Sequence, residues 1–262
     1  MSQYQTDTLV VLVTAALAIL GGISFIVIAD VFGIRRFGRL SLDTKIVLIT
    51  TASLLVVGTA VILITEHSGS ATLGSLPWPQ KVMNAFFQSV TARTAGFTTI
   101  DNARLADYSL FFLMILMFIG GVTGSTAGGI KVNTFGMIAA TIWSSIRGRQ
   151  HAGAFGRRFK TEQINRALAV AATFLGLVIV VVLILTMTED FRFLNLFYET
   201  VSAFGTVGLS TGITPGLSLA GKLIITATMF AGKVGPVLLA LWLVRQQRPP
   251  RYTYPEDEIR IG

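Results

Sequence analysis

Arg93 to Asp101 reads RTAGFTTID, and Gly205 to Ile213 reads GTVGLSTGI. Thr94-Ala95-Gly96-Phe97-Thr98-Thr99 recurs as Thr206-Val207-Gly208-Leu209-Ser210-Thr211, 112 positions later. Each phrase is a threonine, a small or apolar residue, a glycine, a bulky apolar residue and two hydroxyls. Upstream, NAFFQSVTA at Asn84 to Ala92 matches NLFYETVSA at Asn195 to Ala203 at an offset of 111. Downstream, Met117-Phe118, Gly120 and Val122 match Met229-Phe230, Gly232 and Val234 at 112. Agreement over this range marks a duplicated unit.

The 262 residues are 52% hydrophobic and only 13% charged, against about a quarter charged in a soluble domain. Apolar runs occur at Leu9 to Ala29, Ile46 to Thr65, Leu110 to Ile119, Ala167 to Met187 and Leu223 to Val244. Alone or with their flanks they reach the ~20 residues needed to span a bilayer. The Leu110 run enters GGVTGSTAGGIK and resumes at Val132 to Ile142. It is too long for one plain span and too glycine-rich for a regular helix. The first run lacks a basic leader and reads as a retained helix, not a signal peptide.

A net charge of +8 raises the question of nucleic acid, but the distribution argues against it. Arg35, Arg36, Arg39 and Lys45 share one loop. Arg147, Arg149, Arg157, Arg158, Lys160 and Arg166 share another, and Arg245, Arg248, Arg251 and Arg260 lie in the tail. The opposite loops carry only Lys81, Arg104, Arg192 and Lys222. This positive-inside asymmetry predicts a multi-pass cell-membrane protein with the three basic segments, the C-terminus included, in the cytoplasm and the N-terminus outside. Cysteine is absent, so nothing points to disulfides or a thiolate metal site.

Each duplicated unit reads as a spanning helix, a short amphipathic segment, the phrase, and another spanning helix. The short segments, about Lys81 to Ala92 and Phe193 to Phe204, have too few residues to cross a bilayer. They are expected to dip in and return. Irregular backbone at membrane depth survives only when buried in protein or lining a watery cavity, so the phrase is a candidate pore lining. A potassium filter replaces an ion's water shell with rings of backbone carbonyls, and glycine permits the dihedrals that aim successive carbonyls at one axis. TVG, the core of the potassium-channel phrase TVGYG, stands at Thr206 to Gly208. Gly96 and Gly208 are the expected central residues, with the C-terminal end of each dip helix facing the cation. The bland alternative is helix-packing glycine; flanking hydroxyls and the preceding short helix set the phrase apart from it.

Intramembrane cations are functional by default. Lys233, in MFAGKVGP, lies about halfway along the last run, and Lys131 closes the glycine-rich insert. Lys233 is expected beside the pathway, where it would raise the barrier to a cation; pairing with Glu199 is the alternative. Lys131 could instead snorkel. The insert, Gly120 to Gly129, reads either as a gate below the filter or as an unwound packing feature. Two enzyme-like patterns fail on context. Gly208-Leu-Ser210-Thr-Gly212 fits a hydrolase elbow, yet no strand precedes it and His67 and His151 fall in loops. GSTAGGIK lacks the order and flanking strand of a phosphate loop. The chain is not expected to be an enzyme.

SVTARTAGFTTID, GGVTGSTAGGIKVNT, SAFGTVGLSTG and MFAGKVGP resemble the ion-translocating subunit of the KtrB/TrkH-type bacterial potassium uptake systems, KtrB most of all, over nearly the whole chain; the tail YTYPEDEIRIG is similar too. The resemblance implies an all-α polytopic membrane protein of tandem helix–pore-loop–helix repeats, four to a pore, with one filter glycine each. Only two occur here, and Leu9 to Gly33 is similar to the end of a preceding repeat. Residues 1–40 are then an inner helix, 41–160 one repeat with the insert, and 161–262 another with the tail. Two walls cannot close a four-sided ring. The expectation is a fragment; a half-subunit or non-conducting scaffold that needs a partner is the alternative. Further implications are potassium passage, with sodium as a second ion, and a filter of Thr94, Ala95, Gly96, Phe97, Thr206, Val207, Gly208 and Leu209. A gate of Gly120, Gly121, Thr123, Gly124, Ser125, Thr126, Gly128, Gly129 and Lys131 is implied as well. So are a cytosolic nucleotide-binding subunit of the KtrA/TrkA kind and a homodimer of complete subunits. Arg157, Arg158 and their neighbours would face that partner or anionic lipid. Lys233 departs from the arginine usual at its place, keeping charge without the planar fork.

Overall fold

A computed structural model describes residues 2–69, 71–125, 127–149 and 151–245. Thr126 of the insert and the tail with Arg248, Arg251 and Arg260 lie outside the described residues. Among the described residues, nine α-helices carry the fold, and the one strand pair is the hairpin β1 (Gly153–Ala154) and β2 (Arg157–Arg158). The helices are α1 (Thr8–Gly22), α2 (Phe25–Ile34), α3 (Leu42–Glu66), α4 (Trp78–Thr91), α5 (Asp107–Phe118), α6 (Val132–Ile146), α7 (Thr161–Thr188), α8 (Phe193–Gly205) and α9 (Leu219–Arg245).

Helices α3 and α7, with 25 and 28 residues, are long and apolar enough to cross a membrane; at ~1.5 Å per residue each exceeds the ~30 Å hydrocarbon thickness. Leu168, Leu175, Ile179, Leu183 and Met187 line an outward face of α7, as a lipid-facing stripe should. The dip segments are α4 and α8, of 14 and 13 residues. Helix α4 begins three residues before the expected Lys81. Pro77 and Pro79 suit a first turn, whose N–H groups have no partner within the helix.

The first apolar run is corrected. It was expected as one helix, but α1 and α2 meet at a 96° bend. Hydropathy is continuous across the break; helix preference is not. Gly21 and Gly22 each weaken a helix by about 1 kcal/mol relative to alanine, and Ser24 starts a new helix by accepting the amide of Ile26 at 3.3 Å, a serviceable N-cap. The carbonyl of Gly22 accepts Val122 N–H from the insert at 3.1 Å. The interruption expected in the Leu110 run is present: α5 stops at Phe118 and α6 starts at Val132.

Packing repeats along the chain. Helix α1 packs on α4 and α5 packs on α8, so each inner helix leans on the dip helix of the following unit, while α3 on α4 and α7 on α8 close the same unit. A glutamate at the C-terminal end of each long helix does equivalent work. Glu66 accepts Ala106 N–H at 3.1 Å just before α5, and Glu189 accepts Ser218 N–H at 3.0 Å just before α9. Negative charge at a helix N-terminus is favourable. At the foot of α8, the Phe204 ring lies 5.8 Å from Phe118 and 5.1 Å from Phe174. That tilted cluster ties α5, α7 and α8 together by close packing, the main source of cohesion between helices in lipid.

Both interhelical basic loops meet on one face. Phe37 of the first stacks edge-on against Phe155 of the β1–β2 hairpin at 6.3 Å, with Lys45 Nζ 5.9 Å from each ring.

Candidate functional site

The two phrases form matching loops at the C-terminal ends of α4 and α8. Ala95 N–H returns to the carbonyl of Thr91 at 3.2 Å and Val207 N–H to that of Ser202 at 2.9 Å, pairs equivalent under the duplication. Both loops then take the left-handed region twice: Thr94 at φ 72° and Gly96 at 75°, Thr206 at 51° and Gly208 at 90°. A threonine with positive φ is uncommon; its occurrence at the same place in both units marks a shaped loop and not an incidental turn.

The loops face each other at the glycines. A Cβ built on Gly208 would stand 3.4 Å from the Gly96 Cα, and one on Gly96 only 2.4 Å from the Val207 carbonyl oxygen. The side chains of Val207 and Leu209 are buried in the core while Gly208 itself is exposed. On the first loop Phe97 is half exposed, and its carbonyl accepts the Thr91 hydroxyl. An open cleft of about 460 Å³ lies between Thr94, Ala95 and Phe97 on one side and Thr14, Gly21 and Gly22 of α1 on the other. The dip helices present carbonyl ends, with partial negative charge, toward the loops.

The insert between α5 and α6 is closed at its neck by a parallel bridge between Ile119 and Ile130. Gly120 N–H meets the Ile130 carbonyl at 2.8 Å, Ile130 N–H the Phe118 carbonyl at 3.2 Å, and Val132 N–H the Gly121 carbonyl at 3.0 Å. Its far limb sits under the second phrase: a Cβ on Gly128 would be 2.4 Å from Thr206 Oγ1 and 2.8 Å from the Gly205 carbonyl. Its near limb meets the α1–α2 bend, where a Cβ on Gly124 would be 3.0 Å from Ser24 Oγ. Inside, Ser125 Oγ donates to the Val122 carbonyl at 2.7 Å and Lys131 Nζ to the Ala127 carbonyl at 2.6 Å. Thr123 N–H meets Asn133 Oδ1 at 3.1 Å, and Asn133 in turn donates to Asp43.

Lys233 lies on the unbroken helix α9. Its neighbour Gly232 abuts α8 so closely that a Cβ there would be 1.8 Å from the Phe204 carbonyl oxygen. Lys131 and Lys233 are near enough to repel one another, so the fold brings the two membrane-depth lysines into one neighbourhood. The Glu199 oxygens take up hydroxyls and an amide of Ser210, Thr211 and Thr214. Ser210, the would-be hydrolase nucleophile, thus donates to a carboxylate.

Sequence reasoning gave three residues no part in shaping the loops. Gln88 and Glu199 occupy equivalent places on the dip helices and bond to the loop that follows; aligning Thr98 with Ser210 across the repeat is the signal that finds them. Arg93, just past α4, is turned inward between α1 and α3, with Nη2 3.4 Å from Thr51 Oγ1 and Nε buried with no hydrogen-bond partner among the described residues. In the sequence it stands only as the first letter of the phrase.

A family model described as "TrkH: Cation transport protein" matches residues 1–248. The Ktr system potassium uptake protein B of Bacillus subtilis is 40% identical over 259 residues, covering 99% of this chain and 58% of that protein. The potassium/sodium uptake protein NtpJ of Enterococcus hirae is 38% identical over 264 residues, covering 98% of this chain and 58% of its own length. The crystal structure of the potassium transporter TrkH from Vibrio parahaemolyticus superposes with a TM-score of 0.71 at 18% identity, over 93% of this chain and 53% of that one; at that identity the likeness speaks for the fold. The chain therefore spans a little under three-fifths of the curated relatives it matches. These are names of transport proteins, not of enzymes. With its tandem helix–pore-loop–helix architecture and a match along almost its entire length, the chain belongs to the TrkH family of cation transport proteins.

Proposed function

We propose that this chain supplies two walls of a potassium-conducting pore in the cell membrane, residues 41–160 forming one and 161–262 the other. The observation that carries the reading is the facing pair of left-handed glycine loops, Gly96 against Gly208, at the carbonyl ends of two dip helices. Backbone carbonyls of Thr94, Ala95, Gly96, Thr206, Val207 and Gly208 replace water around the ion, with Phe97 and Leu209 completing each loop. Potassium is the principal ion, in keeping with the Ktr relatives, and sodium the second, as the name of NtpJ suggests. The insert from Gly120 to Lys131, seated beneath Thr206, gates the pathway, and Lys233 places a positive charge there. The basic face with Arg157 and Arg158 docks a cytosolic nucleotide-binding subunit, puts the C-terminus in the cytoplasm, and belongs to a homodimer of complete subunits.

Replacing Gly208 by Ser in the complete transporter is expected to reduce the preference for potassium over sodium, read as rubidium and sodium uptake into potassium-uptake-deficient cells. Unchanged preference at normal surface abundance sinks the filter assignment. The alternative is a non-conducting scaffold or half-pore that needs a partner to complete the pathway. Rubidium flux into vesicles holding this chain alone would show self-sufficiency; silence that is relieved by supplying the remaining walls supports the half-pore.

A further inference from the structure

Glu199 lies on α8 with 5% of its surface exposed. Its Oε1 accepts Ser210 Oγ at 2.6 Å, Thr211 N–H at 2.9 Å and Thr211 Oγ1 at 3.3 Å, and Oε2 accepts Thr214 Oγ1 at 2.9 Å. Ser210 Oγ also accepts Gly212 N–H at 2.8 Å, which extends the set to the next left-handed glycine. One carboxylate thereby gathers the chain from residue 210 to 214, directly after the Thr206–Leu209 phrase.

The first repeat uses a different chemistry at the same place. Gln88 donates through Nε2 to Asn102 Oδ1 at 2.8 Å, and its Oε1 is 3.4 Å from Thr98 Oγ1. Thr98 also lies within donating reach of the Ile100 carbonyl. A hydroxyl has one proton, so the grip of Gln88 on its loop is the weaker. An ionised carboxylate is acceptor-only and receives several donors at once, and such charge-assisted bonds are roughly twice as strong as neutral ones.

We propose that Glu199 is the positioning residue of the second loop: its carboxylate fixes the outer end of that loop and makes its wall of the pathway stiffer than the wall built on Gln88. The inference rests on the filter reading above. Ion discrimination then depends more on Glu199 than on Gln88.

The test uses the complete transporter in potassium-uptake-deficient cells at matched surface abundance. Glu199→Gln keeps one acceptor oxygen and turns the other into a donor facing Thr214. It is expected to raise the half-saturating potassium concentration about tenfold and to increase sodium uptake, with maximal rate little changed. Thr214→Val is expected to act in the same direction and less. Because Glu199→Gln replaces the charge-assisted bond from Thr214 by a neutral one of reversed direction and Thr214→Val removes that same bond, the double variant should fall short of their product. Gln88→Ala is expected to shift discrimination less than Glu199→Ala. If Glu199→Ala fails to reach the membrane, the Glu199→Gln and Thr214→Val cycle decides. Multiplicative effects, or a loss of maximal rate with affinity and ion preference intact, would overturn the proposal. If Glu199 variants are inert while Gly208→Ser alters selectivity, this proposal fails alone; if neither matters, the filter reading fails with it.

Discussion

Gly96 and Gly208 are equivalent by sequence and unequal by environment, and alanine at each should tell them apart. Both have φ in the left-handed region, 75° and 90°, where a side chain costs about 1–2 kcal/mol. At Gly208 the added methyl would meet only the Gly96 Cα, 3.4 Å away, an ordinary contact distance. At Gly96 it would stand 2.4 Å from the Val207 carbonyl oxygen. Restoring 3.4 Å requires the oxygen to retreat by 3.4 − 2.4 = 1.0 Å along that line. Forcing such a shift in a packed site adds about 1–3 kcal/mol, and the atom displaced is one the proposed filter presents to the ion. With the strain borne by the ion-binding conformation, Gly208→Ala should raise the half-saturating potassium concentration about 5–30-fold. Gly96→Ala should raise it at least about fivefold more and degrade potassium-over-sodium preference further. Rubidium uptake against external concentration, with sodium as competitor and surface abundance matched, measures both. Gly208→Ala proving equal to or worse than Gly96→Ala would refute the reasoning, because the 90° − 75° = 15° by which φ at Gly208 exceeds that at Gly96 is a smaller burden than driving a Cβ to 2.4 Å from a backbone oxygen.

Two further outcomes follow from packing and charge. Gly232→Ala, whose Cβ would fall 1.8 Å from the Phe204 carbonyl, should cost about 1–3 kcal/mol, each lowering the melting temperature by roughly 2–4 °C in a chain of this size. Gly176→Ala on α7, with open space around it, is the control and should hold or raise stability, as helix propensity predicts. At the C-terminal end of α7, the hydroxyl of Ser218 and then its amide hold the Glu189 carboxyl below its ordinary value of 4.5. A depressed carboxyl contributes stability that is fully present above the unfolded value and lost as pH falls through the folded one. Thermal unfolding in detergent should therefore show a loss below about pH 4.5 that Glu189→Gln diminishes, and identical acid profiles would discount the clasp.

Much of the architecture was legible because the chain repeats itself. Two copies of one phrase identified α4 and α8 and their glycines, and the loops share a pattern of positive φ. The bend at Gly22 was not legible from hydropathy, which is summed along the chain and has no term for axis direction; the signal was Gly21-Gly22 followed by the capping Ser24. The hold of Glu199 on its loop was not legible for a related reason: a search for opposite charge points to Lys233, and the bonds to hydroxyls and an amide 11 to 15 residues ahead stand out only once Gln88 is set beside it. Arg93 was hidden by its own phrase, since sequence gives no direction for a side chain next to a turn.

The way each inner helix leans on the dip helix of the following unit also bears on how the protein is made. Synthesis is directional, with N-terminal parts available first. Helix α1 precedes α4 and α5 precedes α8 in the chain, and these are the pairs that pack. A dip helix is too short to span and ends in irregular backbone that lipid does not tolerate unprotected. Because its neighbour from the preceding unit is already in the membrane when it emerges, each re-entrant segment has a protein wall to fold against, and the order of the sequence serves as an assembly schedule.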